Sequence, residues 1–186
     1  MLETILFALL IAKIKDYKLK PIFKSFAFYP SIAFTLFYVI WNISIFFGDY
    51  SLIKYSSILE KIYLLTFLTL VFKYNLYKSA FLGSFCIFIG TSLNKLAIAA
   101  NGGKMPVFPT LSYITGYVKA DSFTKVNDIH VLGSGSTKLK FLTDYIDLGY
   151  SILSVGDIFI RLFVFIIIFS SIKHINEKNI KLYSFN

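Results

Sequence analysis

The chain has 186 residues, 56% hydrophobic and only 16% charged, with a formal net charge of +9. Soluble domains carry about 25% charged residues. The apolar residues here fall in long blocks without alternation, which excludes a soluble domain and a transmembrane β-barrel and predicts one all-α integral membrane domain over residues 1–186.

In chain order, MLETILFALLIAKIK opens with Glu3 and places its lysines after the apolar block. A cleavable secretory signal has the opposite order, so the block reads as a short first helix, Leu2 to Ile14, with Lys13 and Lys15 reaching for the interface. Four further spans are expected at about 26–47, 57–72, 79–100 and 155–172, which makes a bundle of about five transmembrane helices. The alternative is four spans with an interfacial N-terminal helix. Pro30 falls in the first turn of the second span, where a missing N–H costs little. The fourth span holds Gly83, Ser84, Gly90, Thr91 and Ser92, small residues that let helices approach closely in lipid. Cys86 lies in the same span. As the one cysteine it excludes an intrachain disulfide and a cysteine metal cluster, and it reads as a small buried apolar residue. No internal repeat is visible.

Lysine outnumbers arginine eighteen to one. Lysines cluster at 13–24, at 73–78 and in the tail (Lys173, Lys178, Lys181), whereas those of 101–153 are balanced by Asp121, Asp128, Asp144 and Asp147. The positive-inside rule then places the N-terminus outside and the C-terminus in the cytoplasm of a bacterial cell membrane, with 101–153 on the external face. Lysines flanking apolar blocks are a topology signal, so nucleic acid is not expected as a partner.

The external segment begins with NGGKMPVFP. Asn101, Gly102 and Gly103 form a helix stop, and Pro106 and Pro109 hold the following link extended. The same turn, with Lys104, has the composition of an anion-binding nest. Further on, Thr137–Leu148 shows helical spacing of Leu139, Leu142, Tyr145 and Ile146, which predicts a short amphipathic helix on the outer membrane surface. Ser134 or Ser136 would cap it and Gly149 would end it. The GSGS before it is either a flexible linker or a second place for an anionic group. His130, with Asp128, Asp144 and Asp147 nearby, has the composition of a proton-transfer or metal site, or of a structural histidine. His174 stands among basic residues and reads as an interface residue.

At the last span, Ser154-x-x-Asp157 before an apolar run matches a capping box. Asp157 and Arg161, four apart, are expected to pair, with Asn94 or Asn42 as further partners. A lone arginine within a span is costly facing lipid and marks either a functional or a structural pair.

NKLAIAANGGKMPV, the isolated His130, TKLKFLTDYIDL and SVGDIFIR occur in order, and this C-terminal half, residues 94–161, resembles a family of small bacterial integral membrane proteins of unknown function with an NGGxMPV motif, a downstream His and an SxGD helix start. The resemblance implies a membrane fold and points to Asn94, Asn101, Gly102, Gly103, Met105, Pro106, His130, Asp144, Gly156 and Asp157. It supplies no activity and leaves the cofactor unknown.

The expected function is a binding or transport-related membrane protein. Its ligand would be a lipid headgroup or small anionic solute, held at the external face by Asn94, Asn101, Gly102, Gly103, Lys104, Met105, Pro106, His130, Asp144, Asp157 and Arg161. A membrane enzyme acting on a lipid-linked substrate, with His130 as base, takes second place because no G-x-S-x-G, H-E-x-x-H or P-loop is present. A structural subunit packing through the small residues of the fourth span against another membrane protein is the third reading.

Overall fold

A computed structural model describes residues 1–119, 121–125 and 128–183, with side chains as far as Lys178. Lys181, counted among the tail lysines, has its side chain outside the described residues. The chain is dominated by helices: α1 (Leu2–Ile14), α2 (Tyr29–Phe46), α3 (Ser56–Thr66), α4 (Leu68–Tyr74), α5 (Tyr77–Ala100), and, after a segment of short elements, α8 (Val155–Tyr183). Between α5 and α8 lie β1 (Met105–Val107), α6 (Leu111–Thr115), α7 (Ser122–Lys125), β2 (His130–Leu132), β3 (Ile146–Asp147) and β4 (Ile152–Leu153).

Among the described residues, four helical stretches are long and apolar enough to cross a membrane: Phe26–Phe46, Ile53–Tyr74, Tyr77–Ala100 and Val155–Lys178. The 13 residues of α1 reach only about 20 Å against a hydrocarbon core of about 30 Å. The first helix is thus short, as expected from Leu2–Ile14, and it accompanies four helical stretches of spanning length.

The chain divides into two compact units. The first comprises Met1–Phe37, Glu60–Cys86 and the chain from Arg161 onward. Here α1 runs parallel to α8. Glu3 meets Arg161, the Phe7 and Phe165 rings lie 5.6 Å apart, and Lys18 is bonded to Asn176. The core is Tyr63, Phe67, Leu70, Val164, Ile167 and Ile172, all fully buried. The third span breaks between α3 and α4 at Phe67, where threonine hydroxyls compete for backbone carbonyls. Thr66 donates to Tyr63, and Thr69 donates to both Thr66 and Ala27. A Cβ on Gly83 would lie 2.7 Å from the Phe163 ring, so glycine there admits the ring against α5.

The second unit comprises Tyr38–Leu59 and Ile87–Ile160. Gly90 of α5 and Gly156 of α8 face each other so closely that a Cβ on Gly156 would lie 2.5 Å from the Gly90 carbonyl oxygen. Gly83 and Gly90 of α5 thus serve contacts within the chain. β1 and β2 pair in parallel, Met105 opposite His130 and Val107 opposite Leu132, and Asp144 adds a bridge to Val107. β3 and β4 form an antiparallel hairpin with Ile146 opposite Leu153. Ala97, Met105 and Leu142 form a small core beneath these strands, with Leu93 and Ile98 packed against it.

The amphipathic helix expected over Thr137–Leu148 is absent. Leu139 is left-handed (φ 48°), only Lys140–Leu142 makes a 3₁₀ turn, and Thr143 is extended. The Asp144 backbone is committed to pairing: its N–H donates to the Pro106 carbonyl and its carbonyl accepts from Phe108 N–H. Leu142 is buried against Met105 instead of facing a membrane. Pairing with β1, which the prolines hold extended, overrides a helical spacing of apolar residues. Gly149 (φ 83°) sits in the β3–β4 turn, where Leu148 N–H donates to the Ser151 carbonyl, and it ends no helix. GSGS likewise caps no helix. It forms a turn in which Thr137 N–H donates to the Ser134 carbonyl and Ser136 N–H to the Ser134 hydroxyl.

Candidate functional site

The site forms in the second unit, where the end of α5, the start of α8 and the short strands meet. α5 stops as NGGK implies. Gly102 and Gly103 are left-handed (φ 67° and 84°), and Gly103 N–H reaches back to the Ile98 carbonyl at 2.9 Å, the long bond of a Schellman cap. Lys104 N–H donates to the Asn101 carbonyl at 3.3 Å. These two amides are therefore spent on the cap rather than aimed outward as a nest. The Asn101 side chain donates to the Lys138 carbonyl and accepts from Lys138 N–H, both at 2.9 Å, and so clamps the Ser134–Lys138 turn to the end of α5.

α8 starts with the box that Ser154-x-x-Asp157 implies. Asp157 N–H donates to the Ser154 hydroxyl at 2.9 Å, and Ser154 N–H donates to Asp157 Oδ2 at 3.0 Å. Asn94 closes the box from α5: its amide donates to Asp157 Oδ1 at 2.9 Å, and its carbonyl oxygen accepts from the Ser154 hydroxyl at 2.7 Å. A Cβ at position 156 would overlap Asn94 Oδ1, so Gly156 is what lets this amide reach Asp157.

The strands supply the ionisable centre. β2 begins at His130, and the residue two before it along an extended chain shares its face. Asp128 Oδ2 lies 2.6 Å from His130 Nδ1, and Asp128 Oδ1 accepts His130 N–H at 2.9 Å. On the other side of the ring, His130 Nε2 is 3.5 Å from Asp144 Oδ2. Asp144 is placed by its bridge to β1, and its side chain keeps 8% of its surface, against 38% for His130. Lys104 Nζ donates to the Asp128 carbonyl at 3.2 Å.

The electrostatics follow from this geometry. Burial opposes charge on His130, but the Asp128 hydrogen bond, together with the charges of Asp144 and Asp128, outweighs it and holds the imidazole above its ordinary range. Burial pushes the Asp144 carboxyl up, the negative charge of Asp157 pushes it further, and His130 only partly offsets them, so it titrates at about 7. Burial also opposes charge on Asp128, but its hydrogen bond from His130 prevails and holds it below the usual carboxylate range. The result is one ion pair, Asp128–His130, beside one carboxyl that exchanges its proton near neutrality. Among the described residues, no group of three or more His, Cys, Asp or Glu side chains is arranged to hold a metal ion.

The structure therefore gathers Asn94, Lys104, Met105, Pro106, His130, Asp144 and Asp157 around one polar centre, with Asn101, Gly102 and Gly103 as the clamp and cap beside it. Met105 pairs with His130 through the backbone, and Pro106 accepts the Asp144 N–H. Asp147, by contrast, caps α6 through the N–H groups of Thr110 (2.7 Å) and Ser112 (2.8 Å). The expected Asp157–Arg161 pair is not formed. Asp157 is held by Asn94 and Ser154, while Arg161 forms its ion pair with Glu3 of α1 in the first unit. Arg161 and its expected partners Asn94 and Asn42 are corrected accordingly; the Asn42 amide donates to the Tyr38 carbonyl. Glu3 is the partner that sequence spacing missed, and Asp128, read from sequence beside His130 but not among the expected ligand-site residues, is a member of the centre.

No curated protein and no solved structure matches this chain. The model of a family described as "Family of unknown function (DUF5317)" matches residues 19–169, a range that contains every residue of the polar centre, and the chain belongs to that family.

Proposed function

We propose that this is a membrane protein whose Asp128–His130–Asp144 centre takes up and releases a proton on the non-cytoplasmic face, in the service of binding or transporting a small polar ligand. The observation that carries the reading is the single imidazole held between two carboxyls, 2.6 Å from Asp128 and 3.5 Å from the more deeply buried Asp144. The partly exposed His130 connects solvent to Asp144, and histidine is the side chain suited to passing a proton near neutrality. The lysine asymmetry supports the orientation, with 101–153 external and the basic segments cytoplasmic in a bacterial membrane.

Of the ligands expected from sequence, a lipid headgroup or a small anionic solute, the charges support a headgroup bearing hydroxyl or amine groups over a free anion. Three carboxyls, Asp128, Asp144 and Asp157, surround one imidazole. The N–H groups of Gly103 and Lys104 are spent on the cap, and Arg161 is engaged by Glu3. The test is proton uptake by the full chain in nanodiscs between pH 8 and pH 6. Asp144→Asn and His130→Gln should each take up fewer protons than the parent, and identical uptake by all three would overturn the reading.

One observation favours a second reading. Asp128 orients His130 through Nδ1 and, above the raised pKa of the imidazole, presents Nε2 beside Asp144 as a general base, the arrangement a hydrolase of lipid-linked substrates would use. A lipid-linked species that accumulates in cells carrying His130→Gln, and is consumed by the purified parent, would select this reading over simple binding.

A further inference from the structure

The first unit carries a second feature, independent of the His130 centre. After α1 the chain passes through Lys15, Lys18, Lys20 and Lys24, with Lys20–Lys24 wound as a 3₁₀ turn that includes Pro21. All four lysines are exposed. This stretch is tied down at both ends. Lys18 N–H donates to Asn176 Oδ1 at 2.8 Å and the Asn176 amide donates back to the Lys18 carbonyl at 3.1 Å. The Ser25 hydroxyl meets the Tyr74 hydroxyl at 2.5 Å, and Lys73 lies over the Phe26 ring at 4.8 Å. The exposed Lys73 is therefore part of the same ordered face, and the exposed Lys78 follows it one residue into α5. Aromatic rings stand exposed among these cations: Phe23 and Phe26 keep 66% of their surface and Tyr77 keeps 58%. The adjoining helices α2 and α5 expose apolar side chains, Phe81 and Phe85 among them.

An exposed aromatic costs free energy in water, and a row of unpaired lysines repels itself. Both costs are relieved at one kind of surface, the headgroup layer, where rings sit at the glycerol level and ammonium groups meet phosphates. A nucleic acid or an acidic protein would satisfy the lysines but would leave the adjoining helix faces bare. We propose that the Lys15–Lys24 turn, together with Lys73 and Lys78, binds the phosphate groups of anionic phospholipids in the leaflet it faces. The tethers to Asn176 and Tyr74 make this an ordered recognition surface, in contrast to a loose basic tail.

The test uses the full chain in neutral detergent with equimolar phosphatidylglycerol and phosphatidylcholine, and counts bound lipids by native mass spectrometry. A lysine at an anionic surface favours association by about fivefold at low salt, so phosphatidylglycerol adducts should exceed phosphatidylcholine adducts by at least about that factor. Lys18→Gln/Lys20→Gln/Lys24→Gln should bring the ratio close to parity. Lys119→Gln/Lys125→Gln/Lys138→Gln, which removes the same charge from the second unit, should leave it unchanged. If the first triple variant does not fold, Lys73→Gln/Lys78→Gln and a rise to high salt with the parent protein should each reduce the ratio. Equal adducts on the parent, a preference that survives both lysine sets and salt, or a preference lost equally with the second-unit lysines would overturn the proposal.

Discussion

Replacing Asp144 with asparagine probes the polar centre at its most buried carboxyl. In the unfolded chain an aspartate ionises near 3.8, whereas folded Asp144 keeps its proton to about 7. Between those values the native state binds more protons than the unfolded state, so stability falls as pH rises. A gap of about three units corresponds to a loss of up to about 4 kcal/mol, spread between about pH 4 and pH 7 and constant above. His130 acts in the same direction. Its folded pKa is raised above 6.5, so its contribution is fully present below that value and is lost as pH rises through the folded one. Asparagine has nearly the same shape and no charge to bury. The Asp144→Asn protein should therefore match the parent near pH 5, where the parent carboxyl is protonated, and exceed it by up to about 4 kcal/mol at pH 8. It should lose the part of the slope due to Asp144 and keep that of His130, weakened because the Asp144 charge helps raise that imidazole, together with the opposite slope of the lowered carboxylates Asp128 and Asp147. Reversible unfolding in mixed micelles, followed by far-UV circular dichroism at four pH values, reads this directly. Parallel pH curves for the two proteins, or a variant less stable than the parent at pH 8, would refute the assigned burial and charge arrangement.

Glu3→Gln should destabilise the chain by about 3–5 kcal/mol, because it leaves Arg161, whose side chain is 13% exposed, as an uncompensated charge; adding Arg161→Met should restore most of the loss in the same unfolding assay. Gly156→Ala forces a methyl onto Asn94 Oδ1 and against the Gly90 carbonyl, and should cost at least about 1–3 kcal/mol or abolish folding, read as loss of a monodisperse species in detergent. Gly102→Ala meets no neighbour within 4 Å but must adopt φ 67°, so its cost should be about 1–2 kcal/mol, with Gly102→Asn closer to the parent, both measured by thermal unfolding.

What the sequence disclosed divides by range of interaction. The bounds of α1 coincide with the expected Leu2–Ile14, and α2 and α5 follow their apolar blocks, because a lipid-soluble helix needs only a continuous run to declare itself. The Ser154–Asp157 box was also legible, since both partners lie within one helical turn. The 137–148 segment was not. Its apolar spacing fits a helix, but Leu142 obtains its burial from Met105 and Asp144 its backbone partners from Pro106 and Phe108, none of which a local window contains. Arg161 failed for the same reason: spacing offered Asp157 one turn away, while its actual partner, Glu3, lies at the other end of the chain.

The helices and the titrating centre are linked by one chain of causes. Because Gly90 and Gly156 carry no Cβ, α5 and α8 approach closely enough for Asn94 to bond Asp157 and Ser154 together. Asp157 is held in place in the box by the Ser154 N–H and the Asn94 amide. Its charge is one of the two main causes lifting Asp144 to about 7, the other being the burial that β1 pairing imposes on it. The Asn101 clamp on Lys138 and the Schellman turn at Gly102–Gly103 hold the strands against the end of α5, and so keep His130 within reach of Asp144. A proton on Asp144 is thus sensitive to the spacing of two helix ends. Any motion that separates α5 from α8 would weaken the Asp157 field, lower the Asp144 pKa and release its proton. Proton release and helix separation are then two faces of one equilibrium, and that coupling is the physical requirement for a proton to drive a ligand-binding change.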